Sequence, residues 1–335
     1  MIYTGGTIGM VHDNESDTFI PFDFENLQAQ IPELKQLDAQ LHVHSFEPSI
    51  DSSNMHPSVW QELSETIASS YADYDGFVIL HGSDTMAYTA SALSFMLEDL
   101  NKPVVLTGSQ LPSGVPRTDA KENLITAIEI ASSQTNGLPT VPEVCVYFEY
   151  QLYRGNRTRK VNAENFQAFA SVNYPPLAEA GVHLKFNRSV IKKAHEKALK
   201  VHAKINTNIG VLKLFPGITE SVVKNSLNHA DIEAVILETF GSGNAPTAPW
   251  FLAALAEAVA RGVIILNVTQ CAGGSVELGR YETSKSLKGL GVISAQDMTF
   301  EAALTKLMFV LAQTEEHEKR IKLITRNLRG EMTDA

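Results

Sequence analysis

Cysteine is nearly missing: 335 residues hold two, Cys145 and Cys271. A disulfide framework needs a denser, paired set, so each is expected as a reduced core thiol beside its apolar run. Long hydrophobic runs are missing as well, since no stretch approaches the roughly 18 apolar residues of a membrane-spanning helix. Met1-Ile2-Tyr3 leads straight into glycines, without the basic and apolar regions of a secretory signal. A cytoplasmic protein is expected. Positive charge is in deficit: 27 Lys and Arg face 38 Asp and Glu, a formal net charge of -11. The sequence-independent part of binding to nucleic acid or anionic membrane is cationic, so neither partner is expected. Several signatures are also lacking. The N-terminal glycines follow neither the G-x-G-x-x-G spacing nor the Lys-Ser/Thr ending of a P-loop, and Ser83 lacks the G-x-S-x-G elbow. His42 and His44 would share a strand face, but no third metal ligand lies near them in sequence.

What is present is ordinary globular composition, 44% hydrophobic and 19% charged, over a length suited to two domains. Short apolar runs alternate with helical patterns. Strands are predicted at 77–81, 103–107 and 143–148, with helices at 85–100 and 118–133 between them. The alternation restarts with strands at 209–214, 234–237 and 263–267 and helices at 249–260 and 299–313. Val- and Ile-rich runs separated by helices indicate parallel strands covered on both faces. The fold class is therefore α/β, with a larger N-terminal domain and a smaller C-terminal one, each built on a mostly parallel sheet flanked by helices. Between them, Lys185 to Lys204 carries seven basic residues and one acid, which suits a solvated connector or an exposed strand pair. The boundaries are set at 1–184, 185–206 and 207–335. The stripe Leu252, Leu255, Ala256 and Val259 is expected to pack in a core. Only Met1 to Tyr3 precede the first glycine loop, so either the first strand is very short or the natural start lies upstream.

Ligands of open α/β sheets bind beyond the carboxyl ends of strands, so loops after strands carry the candidates. Thr4-Gly-Gly-Thr-Ile-Gly9 puts the Thr7 hydroxyl behind paired glycines, as a nucleophile or as part of a structural turn. In His81-Gly-Ser-Asp-Thr-Met86, one of Ser83, Asp84 and Thr85 would cap the next helix, a role compatible with catalysis. Arg154-Gly-Asn-Arg-Thr-Arg-Lys160 is a basic surface loop or, alternatively, delivers a lysine into an uncharged pocket where it becomes a base. Asp51-Ser-Ser-Asn-Met55 reads alone as a turn or cap.

Taken together, and in this order, these segments resemble the bacterial L-asparaginases, in particular the cytoplasmic type I branch. Gly241-Ser-Gly-Asn-Ala-Pro246, Thr269-Gln-Cys271 and Asn327-Leu-Arg-Gly-Glu331 extend the resemblance over the whole chain. It implies hydrolysis of L-asparagine to L-aspartate and ammonia through an acyl-threonine, without metal or organic cofactor. Thr7 matches the nucleophile, and Ser83, Asp84 and Lys160 the second catalytic group. Asp51, Ser52 and Ser53 match contacts to the α-carboxylate and amino group, with Gly82 and Ser109 as further substrate contacts. Backbone N–H groups of the Gly5-Gly6 and Gly82-Ser83 turns are candidate oxyanion donors. The resemblance implies that Asn244 enters from a neighbouring subunit, making an intimate homodimer, paired or not into a tetramer, part of the working enzyme.

The chain departs from the pattern in places. Ser83 stands where threonine is usual, which keeps the hydroxyl. Phe19 stands nearest to a tyrosine that orients the nucleophile in many members, which leaves Tyr153, Tyr281, Asp17 and Thr18 as alternatives. An activating second site is formed in some type I enzymes partly by an arginine and a threonine. Their positions hold Glu238 and Arg159 here, so hyperbolic kinetics are expected. Mixed glutaminase-asparaginase activity and a non-catalytic asparagine-binding sensor are the competing functions.

Overall fold

A computed structural model describes residues 1–13, 18–20, 31–279 and 282–334. The chain divides into two compact units, Met1–Ala203 and Lys204–Ala335.

The first unit is built on an eight-stranded sheet. Its strands are β1 (Ile2–Tyr3), β2 (His44–Ser45), β3 (Phe77–Leu80), β4 (Val104–Thr107), β5 (Val144–Phe148), β6 (Gln151–Arg154), β7 (Ala178–Ala180) and β8 (Leu184–Phe186), arranged β8-β7-β6-β5-β4-β3-β1-β2. From β2 to β5 neighbours are parallel, and β6 to β8 add antiparallel strands. Every residue of β3, β4 and β5 is buried. The reason is that both faces are covered. Phe77, Ile79, Val104, Leu106, Val144 and Val146 share one core with Leu63 and Ile67 of α1 (Pro57–Ser69) and Ala90 and Leu93 of α2 (Met86–Met96). The alternate residues Val78, Leu80, Val105, Cys145 and Tyr147 join Leu124, Ala127 and Ile128 of α3 (Ala120–Ser132) on the other. A period of two along each strand thus feeds two cores at once.

The stretch from 185 to 203, read from sequence as part of a connector, is clustered with the first unit. It contributes the end of β8 and a two-residue strand, Lys200–Val201, paired with Leu97–Glu98. Its basic side chains meet acids there: Lys197 lies 3.5 Å from Asp99, and Lys200 lies 3.2 Å from Glu98. Strands β5 and β6 form a hairpin whose two turn residues, Glu149 and Tyr150, have φ of 44° and 68°. Both central residues are left-handed, as the right-handed twist of a two-residue hairpin demands.

The second unit holds four parallel strands in sequential order, β9 (Ile209–Lys213), β10 (Ala234–Thr239), β11 (Ile264–Thr269) and β12 (Ile293–Ser294). Helices α4 (Glu220–Leu227) and α5 (Pro249–Ala260) share a core with Leu212, Leu237 and Ile265. On α5 the buried face is Phe251, Ala254, Leu255 and Ala258. The expected stripe is therefore displaced: Leu252 and Val259 flank the core and are only partly buried. A further helix, Phe300–Gln313, buries Lys306 against Glu331, with Nζ 2.6 Å from Oε1 and both side chains fully enclosed. Cys145 is a buried free thiol, whereas Cys271 is free and exposed, so only one of the two cysteines is a core thiol. Cys271 follows the carboxyl end of β11 rather than lying within the strand, and the loop there faces solvent. Among the described residues no helix is long and apolar enough to cross a membrane.

Candidate active site

The register of the first sheet decides which loops meet. Tyr3 of β1 pairs with Leu80 of β3, and Leu80 pairs with Thr107 of β4. The segments starting at Thr4, His81 and Gly108 therefore leave the sheet side by side at its carboxyl edge. Tyr3 also pairs with Ser45 of β2, and the Ile50 N–H donates to the Thr4 carbonyl at 2.7 Å, which draws Asp51 to Met55 into the same cluster.

Glycine makes this convergence sterically feasible. Gly5 and Gly6 have φ of 138° and 92°, and a Cβ on Gly6 would stand 2.5 Å from the Gly82 nitrogen. A Cβ on Gly82 would stand 2.4 Å from the Ser52 Oγ. The Gly6 and Gly82 backbones meet each other, and the Ser52 side chain meets Gly82, because these positions carry no side chain. Thr7 follows directly as the first residue of a short 3-10 turn, Thr7–Gly9, half-buried, with its carbonyl accepting from the Met10 N–H.

Ser52 is buried, whereas Ser53 and Asp51 are exposed. The Asp51 carboxylate accepts from the Ser53 N–H at 2.8 Å and the Ser53 hydroxyl at 2.9 Å, which hold it below the usual carboxylate range. These residues form a 3-10 turn with Asp51 as its cap, in keeping with the local alternatives of turn or cap. At the start of α2, Thr85 occupies the cap position without capping; its hydroxyl donates to the Ser52 carbonyl at 2.7 Å, tying two loops together.

Lys160 arrives by another route. Strand β6 is antiparallel, and Arg154 pairs with Cys145 near the amino end of β5. The following segment is not a surface loop. Residues 154–158 are buried, with the Arg154 Nε 2.6 Å from Glu143 and the Arg154 and Arg157 guanidinium groups over the Tyr174 ring. Gly155 packs against the Ala90 carbonyl of α2, where a Cβ would be 3.1 Å away. This buried passage carries the lysine back to the cluster. Its Nζ donates to the Ser83 Oγ at 2.8 Å and lies 2.7 Å from the Asp84 carboxylate. The surroundings of the lysine are thus not uncharged: Lys160 has a carboxylate partner, which is itself largely exposed, at 66% of its side chain.

Sequence inspection missed Gln110. The Ser83 hydroxyl donates to its Oε1 at 3.2 Å, and its amide donates to the Ala163 and Asn165 carbonyls. The signal was its place, two residues past Gly108 in the loop after β4. Ser109 is buried and its hydroxyl donates to the Leu111 carbonyl at 2.6 Å. In the second unit, Asn244 closes a bridge with Phe240 around Gly241 and Gly243, at φ of 49° and 111°. Tyr153 is buried, and its hydroxyl donates to the Phe169 carbonyl at 3.2 Å. Thr18 and Phe19 stand in a three-residue antiparallel pairing opposite Asp13 and His12. Asp17 and Tyr281 lie outside the described residues.

Known proteins resemble the chain in sequence and in fold. Residues 1–192 match the family model described as Asparaginase, N-terminal, and residues 208–324 match the Glutaminase/Asparaginase C-terminal domain. The chain belongs to the asparaginase family. L-asparaginase 1 of Escherichia coli (strain K12) is 45% identical over 332 residues, covering 99% of this chain and 96% of that protein. The crystal structure of L-asparaginase I from Vibrio cholerae superposes with a TM-score of 0.89 at 44% identity, covering 99% of this chain and 98% of that one. The thermostable L-asparaginase from Thermococcus kodakarensis gives a TM-score of 0.91 at 32% identity, covering 100% and 98%. In this asparaginase-family chain, then, a hydroxyl, a carboxylate and a lysine from two distant segments meet beside the glycine loop that carries Thr7.

Proposed function

We propose that the protein hydrolyses L-asparagine to L-aspartate and ammonia, with Thr7 as nucleophile. The contact of Lys160 with Ser83 and Asp84, across 77 and 76 residues, carries the proposal. Amide hydrolysis needs an activated hydroxyl, a relay for its proton and donors for the developing oxyanion. In the first half, the Thr7 Oγ bonds to the amide carbon and its proton passes into the Ser83–Lys160 relay. The carbonyl electron pair moves to oxygen and returns as the C–N bond breaks, and the relay gives the proton to the departing nitrogen. In the second half, water adds to the ester, its proton follows the same path, and aspartate and the threonine hydroxyl are regenerated. No metal enters these steps.

Asp51, Ser52 and Ser53 hold the substrate's α-carboxylate and amino group, and Gly82 and Ser109 line the rest. Asn244 of a second copy completes the site, which makes a homodimer, free or paired into a tetramer, the working form. The protein acts in the cytoplasm. The purified protein is expected to release ammonia from L-asparagine with a kcat/KM above that for L-glutamine. Thr7→Ala is expected to abolish release while asparagine binding, followed by calorimetry, persists. Near-normal turnover by Thr7→Ala removes Thr7 from the mechanism. Asparagine binding without ammonia release by the unmodified protein would establish a sensor instead.

A further inference from the structure

Behind Ser83 runs a line of hydrogen bonds that none of the chemistry above uses. The Trp60 indole N–H donates to the Thr89 Oγ at 3.0 Å. Thr89 Oγ lies 2.8 Å from His81 Nε2, and His81 Nδ1 lies 2.7 Å from the Gly82 carbonyl oxygen. His81 and Thr89 are fully buried and Trp60 nearly so.

The proton positions along this line follow from chemistry. A carbonyl oxygen only accepts, so Nδ1 carries the hydrogen. Burial holds the imidazole neutral, with its pKa pushed down to about 4, so Nε2 is bare. Nε2 therefore accepts from the Thr89 hydroxyl, whose oxygen is supplied in turn by Trp60. Every donor and acceptor of the chain has one role, and the Nδ1–H tautomer is the one the surroundings permit.

The consequence lies one bond further. In a trans peptide the C=O and N–H point in opposite directions. His81 pins the Gly82 carbonyl toward the buried side of the loop, so the Ser83 N–H is turned the other way. The loop's position is held independently: the His81 N–H donates to the Thr107 carbonyl at 2.9 Å, and Thr85 is tied to Ser52. What His81 adds is the rotation of the 82–83 peptide plane.

We propose that His81 is a positioning residue, which through the Gly82 carbonyl holds the Ser83 N–H preorganised as an oxyanion donor. This deepens the hydrolytic function and rests on it. A donor free to rotate would have to reorganise as charge develops, and removal of one oxyanion donor lowers kcat by about 10² to 10³. The loss should fall on kcat, because charge develops only in the transition state.

Two measurements test it. In the unmodified protein, labelled on histidine nitrogen, NMR should show His81 as the neutral Nδ1–H tautomer throughout pH 5.5 to 8.5; the Nε2–H tautomer would overturn the assignment and needs no variant to fold. His81→Asn places an amide N–H close to the Nδ1 position, whereas His81→Leu removes the donor. His81→Leu should lower kcat by roughly tenfold to a hundredfold with KM within about threefold. His81→Asn should recover most of that loss. Equal impairment of the two variants, or a KM effect without a kcat effect, overturns the positioning role. An unmodified protein with the Nδ1–H tautomer that releases no ammonia from asparagine overturns the hydrolytic function and the catalytic role with it, leaving the hydrogen-bond assignment standing.

Discussion

At position 160 the side-chain nitrogen has two partners, and they ask different things of it. Asp84 is exposed, so its pairing is screened by solvent and contributes little to stability, of the order of 0 to 1 kcal/mol. Ser83 is half-buried and ends a hydrogen-bonded line to Gln110. Removal of the amine should therefore hurt chemistry more than folding. Lys160→Met is expected to lower kcat by about 10² to 10⁴, the usual range for a lost acid–base group, with a smaller change in KM and little change in melting temperature. Steady-state ammonia release and a thermal scan check both halves; a large fall in melting temperature with kcat preserved would make Lys160 structural. Ser83 itself, although it lacks the methyl of threonine, makes both contacts through its hydroxyl alone.

Among the elements, the hairpin joining β5 and β6 shows a local cost accepted for a global need. Glu149 and Tyr150 both adopt positive φ, a conformation worth roughly 1 kcal/mol or more of strain per residue with a side chain. Replacing them by Asn-Gly, the pair such turns prefer, should stabilise the first unit by about 0.5 to 1 kcal/mol, since Tyr150 is exposed. Denaturant titration would show the gain as a higher midpoint with an unchanged slope.

The helix Phe300–Gln313 carries the opposite case. Its Lys306 is enclosed with Glu331, which also accepts from the Leu328 and Arg329 N–H groups. Glu331→Gln leaves the lysine without its charge partner and should destabilise the second unit by about 3 to 5 kcal/mol. Burial alone would raise the Glu331 carboxyl, but Lys306 and the two N–H groups outweigh it and hold it below its ordinary value of 4.5. A depressed carboxyl contributes stability that is present above the unfolded-state value and lost as pH falls through the folded one. Thermal unfolding between pH 7 and pH 3 should therefore fall more steeply for the unmodified protein than for Glu331→Gln.

For the molecule as a whole, the resemblance to the type I branch makes Glu238 and Arg159 the positions on which the expectation of hyperbolic kinetics rests. Glu238 is buried in β10, with the Lys213 Nζ 3.8 Å from its carboxylate. An acid at this position would repel the carboxylate of a second asparagine, were one to approach it. Asparagine titrations of the purified protein are expected to be hyperbolic. A Hill coefficient clearly above one would show an activating site built from other residues.

Much of this protein was legible in the order of its residues. Strand cores such as Phe77-Val-Ile-Leu80 declare themselves because a run buried on both faces must be apolar throughout. The glycine and hydroxyl loops declare themselves because few other residues can turn so tightly while offering polar groups. Packing against neighbours distant in sequence had to settle the remainder. Whether 154–158 lay outside or inside depended on Glu143 and Tyr174 receiving its arginines, since a guanidinium is buried only where partners exist. That the lysine two residues later meets Ser83 depended on this buried passage beside α2. And the exposure of Cys271 depended on where β11 ends, a matter of sheet register rather than of the apolar run before it.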